Sequence, residues 1–148
     1  MKLNKYILAA IWVGMFILCA VLGYLPPQEG GNKWLLASFA VLFFVPPALL
    51  VYKAWQEQDR KVLKRLRLVS LVVVVSTVVL LVVNLLSIVL LLALPEKTAL
   101  LLGDWLYYLL ILVSTPMVCG QMWGIGLIGW VVLLWCSIFM YREMEKKS

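Results

Sequence analysis

The sequence predicts an all-α fold: a polytopic transmembrane helical bundle with four crossings and a short interfacial or re-entrant helix before the last one. Three observations predict it. Four long runs, Tyr6–Leu25, Trp34–Tyr52, Leu68–Leu94 and Trp105–Tyr141, contain no Lys, Arg, Asp or Glu and hold 103 of the 148 residues. About 20 apolar residues cross the hydrocarbon core as a helix, and backbone in lipid must satisfy its own hydrogen bonds. The composition, 65% hydrophobic, excludes a soluble globular chain. The longest polar stretch between runs, Lys53–Arg67, has only 15 residues. Residues 1–148 therefore read as a single transmembrane domain, with spans at about 6–25, 34–54, 66–94 and 121–141 and the short helix at about 104–114.

The first run follows a basic start, Lys2 and Lys5. Its 20 residues exceed a signal-peptide core, and no small-x-small site precedes Tyr24. It reads as an uncleaved span ending at Pro26-Pro27, with Gly30-Gly31 in the turn that follows. Trp34 opens the second run, where Pro46-Pro47 predicts a kink or break. Lys53–Arg67 carries Lys53, Arg60, Lys61, Lys64, Arg65 and Arg67 against Glu57 and Asp59. Glu57 stands four residues before Lys61, a spacing that supports helix. The third run has 27 residues, more than a bilayer needs, so it tilts or projects. Ser76, Thr77, Asn84 and Ser87 are polar positions in it, and the Asn84 amide is suited to an interhelical hydrogen bond.

The fourth run, 37 residues, is too long for one crossing and short for two. Asp104 is a candidate N-cap for a helix starting at Trp105. Ser114-Thr115-Pro116 breaks that helix, and a second one runs on to Tyr141. Gly120, Gly124, Gly126 and Gly129 line the final piece, and Gly120-x-x-x-Gly124 matches a close-packing pattern. The Phe43-Phe44-Val45-Pro46-Pro47-Ala48 segment, paired with Ser114-Thr115-Pro116-Met117-Val118-Cys119-Gly120-Gln121-Met122-Trp123, resembles a family of small bacterial integral membrane proteins without an assigned function. The resemblance implies a bacterial cytoplasmic-membrane protein of four crossings and brings no activity, ligand or catalytic residue with it.

Charge sets the expected orientation. The N-terminal tail, the middle polar segment and the C-terminal tail hold eleven of the 13 Lys and Arg; the other two loops hold Lys33 and Lys97. Cytoplasmic segments are enriched in Lys and Arg, so both termini and Lys53–Arg67 are expected in the cytoplasm. The net charge of +6 is spread over the ends of spans, which argues against nucleic acid and for anionic headgroups. Lys53, Arg60, Lys61, Lys64, Arg65 and Arg67 are the candidate lipid contacts.

The runs hold no ionisable carboxylate or amine, the usual sign of chemistry inside a membrane. The chain has no His, and Cys19, Cys119 and Cys136 form no Cys-x-x-Cys pair, so no metal or other cofactor is expected. The cysteines read as small hydrophobes within the spans, in preference to a Cys19–Cys119 disulfide near the outer face. Glu96 and Asp104 are better explained as a solvated charge and a helix cap than as a catalytic pair. At about 1.5 Å of rise per residue, Asn84 lies roughly 24 Å above Leu68, and Cys19 roughly 21 Å above Lys5. Gly124 and Gln121 lie roughly 25 and 30 Å above Tyr141 by the same rise. Asn84, Gln121, Gly120, Gly124 and Cys19 therefore form a candidate polar and packing cluster in the outer leaflet. The expected role is a non-enzymatic accessory or interaction bundle, with the bilayer and a membrane-protein partner or second copy as its partners. A small oligomeric transporter, channel or holin-like pore is the alternative. Reporter fusions at Gln28, Gln58, Lys97 and Ser148 are expected to read outside, inside, outside and inside; an outside signal at Ser148 means an odd number of crossings.

Overall fold

A computed structural model describes residues 4–25, 33–90, 96–116 and 123–146. Of these residues 91% are helical and none lies in a strand. Four helical stretches, Lys5–Gly23, Lys33–Gln56, Arg60–Leu86 and Trp123–Lys146, are long and apolar enough to cross a membrane, and a shorter apolar helix precedes the last.

Asn4 caps α1 (Lys5–Gly23), its side chain accepting from the Tyr6 N–H at 3.5 Å. The second stretch is two helices, α2 (Lys33–Leu42) and α3 (Val45–Gln56), separated by a turn at Phe43-Phe44. Pro46 and Pro47 have no N–H for the carbonyls of Leu42 and Phe43, so a continuous helix would lose two bonds there. Both prolines instead sit in the first turn of α3, where N–H groups have no intrahelical acceptor. The turn closes with the Phe44 N–H on the Val41 carbonyl (3.0 Å), and the Ala48 N–H takes up the Phe44 carbonyl (3.1 Å).

The chain reverses sharply after α3. Gln58 adopts φ 55°, with its N–H on the Trp55 carbonyl (3.3 Å) and the Asp59 N–H on the Ala54 carbonyl (2.9 Å). These paired bonds across a left-handed residue terminate a helix cleanly. Asp59 then caps the next helix, its carboxylate accepting from the Val62 N–H at 3.3 Å. Glu57 therefore lies in the turn, outside any helix shared with Lys61. Its ion pairs are with Lys53 (3.9 Å) and Lys5 (3.5 Å) instead.

Helix α4 (Arg60–Leu90) has 31 residues and incorporates most of the basic segment as its first turns, starting six residues before the expected span. Helix α5 (Glu96–Val113) begins well before the expected Asp104 cap, which lies exposed inside it. In the sequence, Pro95-Glu96 is a helix-start signal. An exposed Asp104 inside the helix has only a weak propensity cost to overcome. Helix α6 (Trp123–Lys146) continues five residues beyond Tyr141, since Arg142–Lys146 are helix formers and Met144 among them packs into the core.

α4 packs chiefly on α6 and also on α5 and α3; α1 packs on α3 and α5. The core joins Phe43, Leu50 and Val51 to Leu63, Leu66, Trp130 and Leu133. Close approach is made at Gly126 and Gly129. A Cβ on Gly126 would lie 3.0 Å from the Ser114 carbonyl, and one on Gly129 would overlap the Phe44 ring. A Cβ on Gly124 would meet nothing within 4 Å. Gly129→Ala is expected to lower stability by about 1–3 kcal/mol, the range for overpacking. Gly124→Ala should be neutral or stabilising by up to about 1 kcal/mol through helix propensity. Unfolding of both variants in mild detergent measures the difference; equal behaviour contradicts the assignment, and partial recovery by Phe44→Leu in the Gly129→Ala background supports it.

Candidate functional site: a buried junction of two broken helices

Two breaks in the chain converge on Trp130. The first is the Phe43-Phe44 turn. The second is the end of α5, where Ser114, Thr115 and Pro116 are all buried against α6. A helix end in the interior must satisfy its last carbonyls; the Ser114 N–H serves the Leu110 carbonyl at 2.9 Å, and the Thr115 side chain serves one that has no backbone donor. The Ser114 hydroxyl donates to the Leu110 carbonyl and the Thr115 hydroxyl to the Leu112 carbonyl, the latter at 2.8 Å. Pro116 prevents continuation, and the Thr115-Pro116 peptide is cis. The Thr115 carbonyl accepts from the Trp130 indole Nε1–H at 2.6 Å. Gly126 gives this segment room, since Pro116 Cδ lies only 3.4 Å from where a Cβ would stand.

Trp130 is 2% exposed and gathers three aromatic side chains around it. Phe44 meets it edge-on at 5.6 Å and Phe43 at 5.9 Å between centroids, and Trp12 of α1 lies 5.8 Å away. Phe43 also meets Phe16 at 6.5 Å and Phe44 at 5.2 Å. Each such pair contributes about 0.5–1.5 kcal/mol beyond area burial. By helical rise, Trp130 lies about 10 Å from Trp123 and about 18 Å from Arg142. The junction is thus near the middle of the apolar length of α6, and the C-terminal end of α5 reaches into the bundle interior. At the other end of α1, the Tyr24 hydroxyl donates to the Tyr108 carbonyl at 3.5 Å and the two rings lie 5.7 Å apart.

The junction is largely different from the cluster expected from sequence. Gly120 and Gln121 lie outside the described residues, as does Cys119. Cys19 is a buried free thiol on α1, Asn84 is half-buried on α4, and Gly124 is open. Cys19 and Asn84 stand on α1 and α4, which, among the described residues, each pack on α5 but not on one another. Sequence reading missed Trp130 as the centre and Ser70 as a polar core residue. Ser70 and Thr77, at 0% and 1% exposure, continue with Asn84 a seven-residue spacing from Leu63 along α4. That spacing was the available signal for one packed seam. Among the described residues the Ser70 and Thr77 hydroxyls and the buried Trp12 Nε1 have no hydrogen-bond partner.

The six basic candidates divide by environment. Lys53 pairs with Glu57, and Arg60 donates to the Met144 carbonyl of α6 at 3.4 Å. Lys61 and Arg65 border a groove between α1 and α4, whose mouth is formed by Lys5 and Asp59. Lys64 and Arg67 are exposed and line no part of that groove. Lys5 itself is 2.6 Å from Asp59, so the start of α1, the α3–α4 turn and the end of α6 gather at one end of the bundle. The Lys5 hydrogen bond holds the Asp59 carboxyl below its ordinary range. A lowered folded value stabilises above the unfolded pKa of about 3.9 and is lost as pH falls through the folded value. The pair is partly exposed and its contribution is small.

Fold and junction define a class: an all-helical bundle of four membrane-length helices, one of them broken, with a shorter apolar helix before the last. No family model, curated protein or solved structure matches the chain. Among the described residues no group of His, Cys, Asp or Glu is arranged to hold a metal. Trp130→Phe keeps a ring but removes the donor to Thr115, and is expected to cost about 0.6–2 kcal/mol. Trp130→Ala removes the ring as well and should cost about 3–5 kcal/mol. Detergent unfolding curves separate the two; a Trp130→Phe variant as stable as the wild type shows that the N–H contributes nothing.

Proposed function

We propose that the chain is a multi-pass protein of a bacterial cytoplasmic membrane, with both termini in the cytoplasm, working as a non-enzymatic accessory or interaction bundle. The exposure of α4 is the observation that carries the membrane reading. Within Arg60–Leu86, the most apolar of the four stretches, only 11% of its most apolar 18-residue window is buried. Leu68, Leu71, Val72, Val75, Val79 and Val82 all point outward. Soluble chains rarely leave contiguous apolar patches of this kind in water, whereas a bilayer is the matching solvent. The orientation rests on the eleven-to-two distribution of Lys and Arg. Its support is the contact geometry, since Lys5–Asp59 and Arg60–Met144 bring the three basic segments to one end.

An interaction role is supported by how the junction is filled. Discontinuous helices in transporters leave backbone groups to hold substrate. Here three aromatic side chains surround Trp130, and its N–H is bonded to the Thr115 carbonyl. Such a centre holds helices together. The second reading is a small oligomeric transporter, channel or holin-like pore; the two broken helices and the buried hydroxyls of Ser70 and Thr77 favour it. Reconstitution into dye-loaded vesicles tests the choice. Vesicles carrying the full chain should retain dye as long as empty ones, and the chain should co-purify from mild detergent with a membrane protein or a second copy. Leakage or solute uptake that is changed by Thr77→Val transfers the function to the second reading.

A further inference from the structure

We propose that the groove between α1 and α4 is a binding site for one anionic phospholipid, its phosphate between Lys61 and Arg65 and one acyl chain along Ala9, Trp12, Leu66 and Val69. The inference rests on the membrane reading above and assigns a ligand class to one surface of the bundle. The groove encloses about 400 Å³, within the range of ligand sites, roughly 300–1,000 Å³. Its two ends differ in chemistry. Lys5, Asp59, Lys61 and Arg65 lie at one end, and Ala9, Trp12, Leu66 and Val69 form the walls towards the other.

The charge at the mouth is net positive and available. Asp59 is engaged by Lys5 at 2.6 Å and by the Val62 N–H at 3.3 Å. Lys61 and Arg65 are exposed and, among the described residues, neither has an ion-pair partner. They are four residues apart on α4, so they stand one above the other on one helix face. Arg adds a planar fork suited to phosphate oxygens. The depth also fits. Leu68 begins the uncharged run three residues after Arg65, and Tyr6 begins that of α1 directly after Lys5. A phosphate at Lys61 and Arg65 would therefore stand at the boundary of the apolar layer. Trp12 is about 10 Å above Lys5, and Val69 about 12 Å above Lys61, a wall long enough for several methylenes. A second groove of about 400 Å³, between α2–α3 and α6, is lined by Val41, Phe44, Ile128 and Val132 among others. It has no charged lining residue, so nothing there selects a ligand.

The test is lipid binding by the full chain in detergent, read by native mass spectrometry with added phosphatidylglycerol. Phosphatidylcholine of the same acyl chains is the comparison. One lipid is expected to be retained, with phosphatidylglycerol preferred. A basic residue near an anionic surface contributes about fivefold in affinity, so Lys61→Gln with Arg65→Gln should weaken binding about thirtyfold. The matched control, Lys64→Gln with Arg67→Gln, removes the same charge outside the groove and should stay within about twofold of wild type. Val69→Trp fills the groove with every charge in place and should also displace the lipid, which keeps the proposal testable if the double variant folds poorly. Excess inorganic phosphate should not compete beyond a chloride control of equal ionic strength. Equal retention of both lipids, equal losses in the two double variants, undiminished binding in Val69→Trp, or displacement by phosphate alone overturns the proposal. Binding in detergent does not depend on which way the chain faces, so this outcome and the topology outcome are read separately.

Discussion

The indole of Trp130 is the contact on which the arrangement of the other elements depends. Two helices end inside the bundle, and a buried helix end exposes carbonyls that have lost their intrahelical donors. The α5 end meets this demand with the Thr115 hydroxyl on the Leu112 carbonyl and with the Trp130 N–H on the Thr115 carbonyl. The Phe43-Phe44 turn meets it by placing two prolines where donors are not needed. One flat side chain then covers both breaks, with Trp12 bringing in α1. For helices of membrane length, lipid as solvent would supply little hydrophobic force for association, so packing and hydrogen bonds would carry more of the burden. A close-packed junction of rings and glycines is one answer to that constraint. Gly126 and Gly129 lie on the same helix as Trp130, which is why α6 can accept both breaks.

The charged end obeys different physics. Lys5, Glu57, Asp59 and Lys53 form a linked set of ion pairs that ties the start of α1 to the α3–α4 turn. Each pair is partly exposed and individually weak. Their effect is geometric: with these carboxylates engaged, Lys61 and Arg65 remain as the free positive charge at the edge of the α1–α4 groove. The apolar packing of Leu63, Leu66 and Met144 beneath them fixes the level at which that charge stands.

Much of the helix inventory was legible because the signals are local. Run length marked four membrane-length stretches, Pro46-Pro47 marked the break in the second, and Ser114-Thr115-Pro116 marked the end of α5. The start of α5 was misplaced because Asp104 is as acceptable on an exposed helix face as at a cap. The Glu57–Lys61 spacing suggested a helix that Gln58 interrupts by turning left-handed, a conformation its side chain does not announce. The Gly120-x-x-x-Gly124 pattern drew attention from Gly126 and Gly129, since a glycine's value depends on what approaches it, and a pattern does not name the neighbour.

By itself the sequence determined the class of fold, the number of membrane-length helices and the clustering of charge, because all three follow from length, apolarity and proline placement along the chain. Only the tertiary structure decided that two breaks share one indole, that Ser70 and Thr77 face a seam, and that Lys61 and Arg65 rather than Lys64 and Arg67 border a groove. Those outcomes turn on which helix faces meet. In a helix that is apolar all round, periodicity marks no buried side, so packing against neighbours makes the choice.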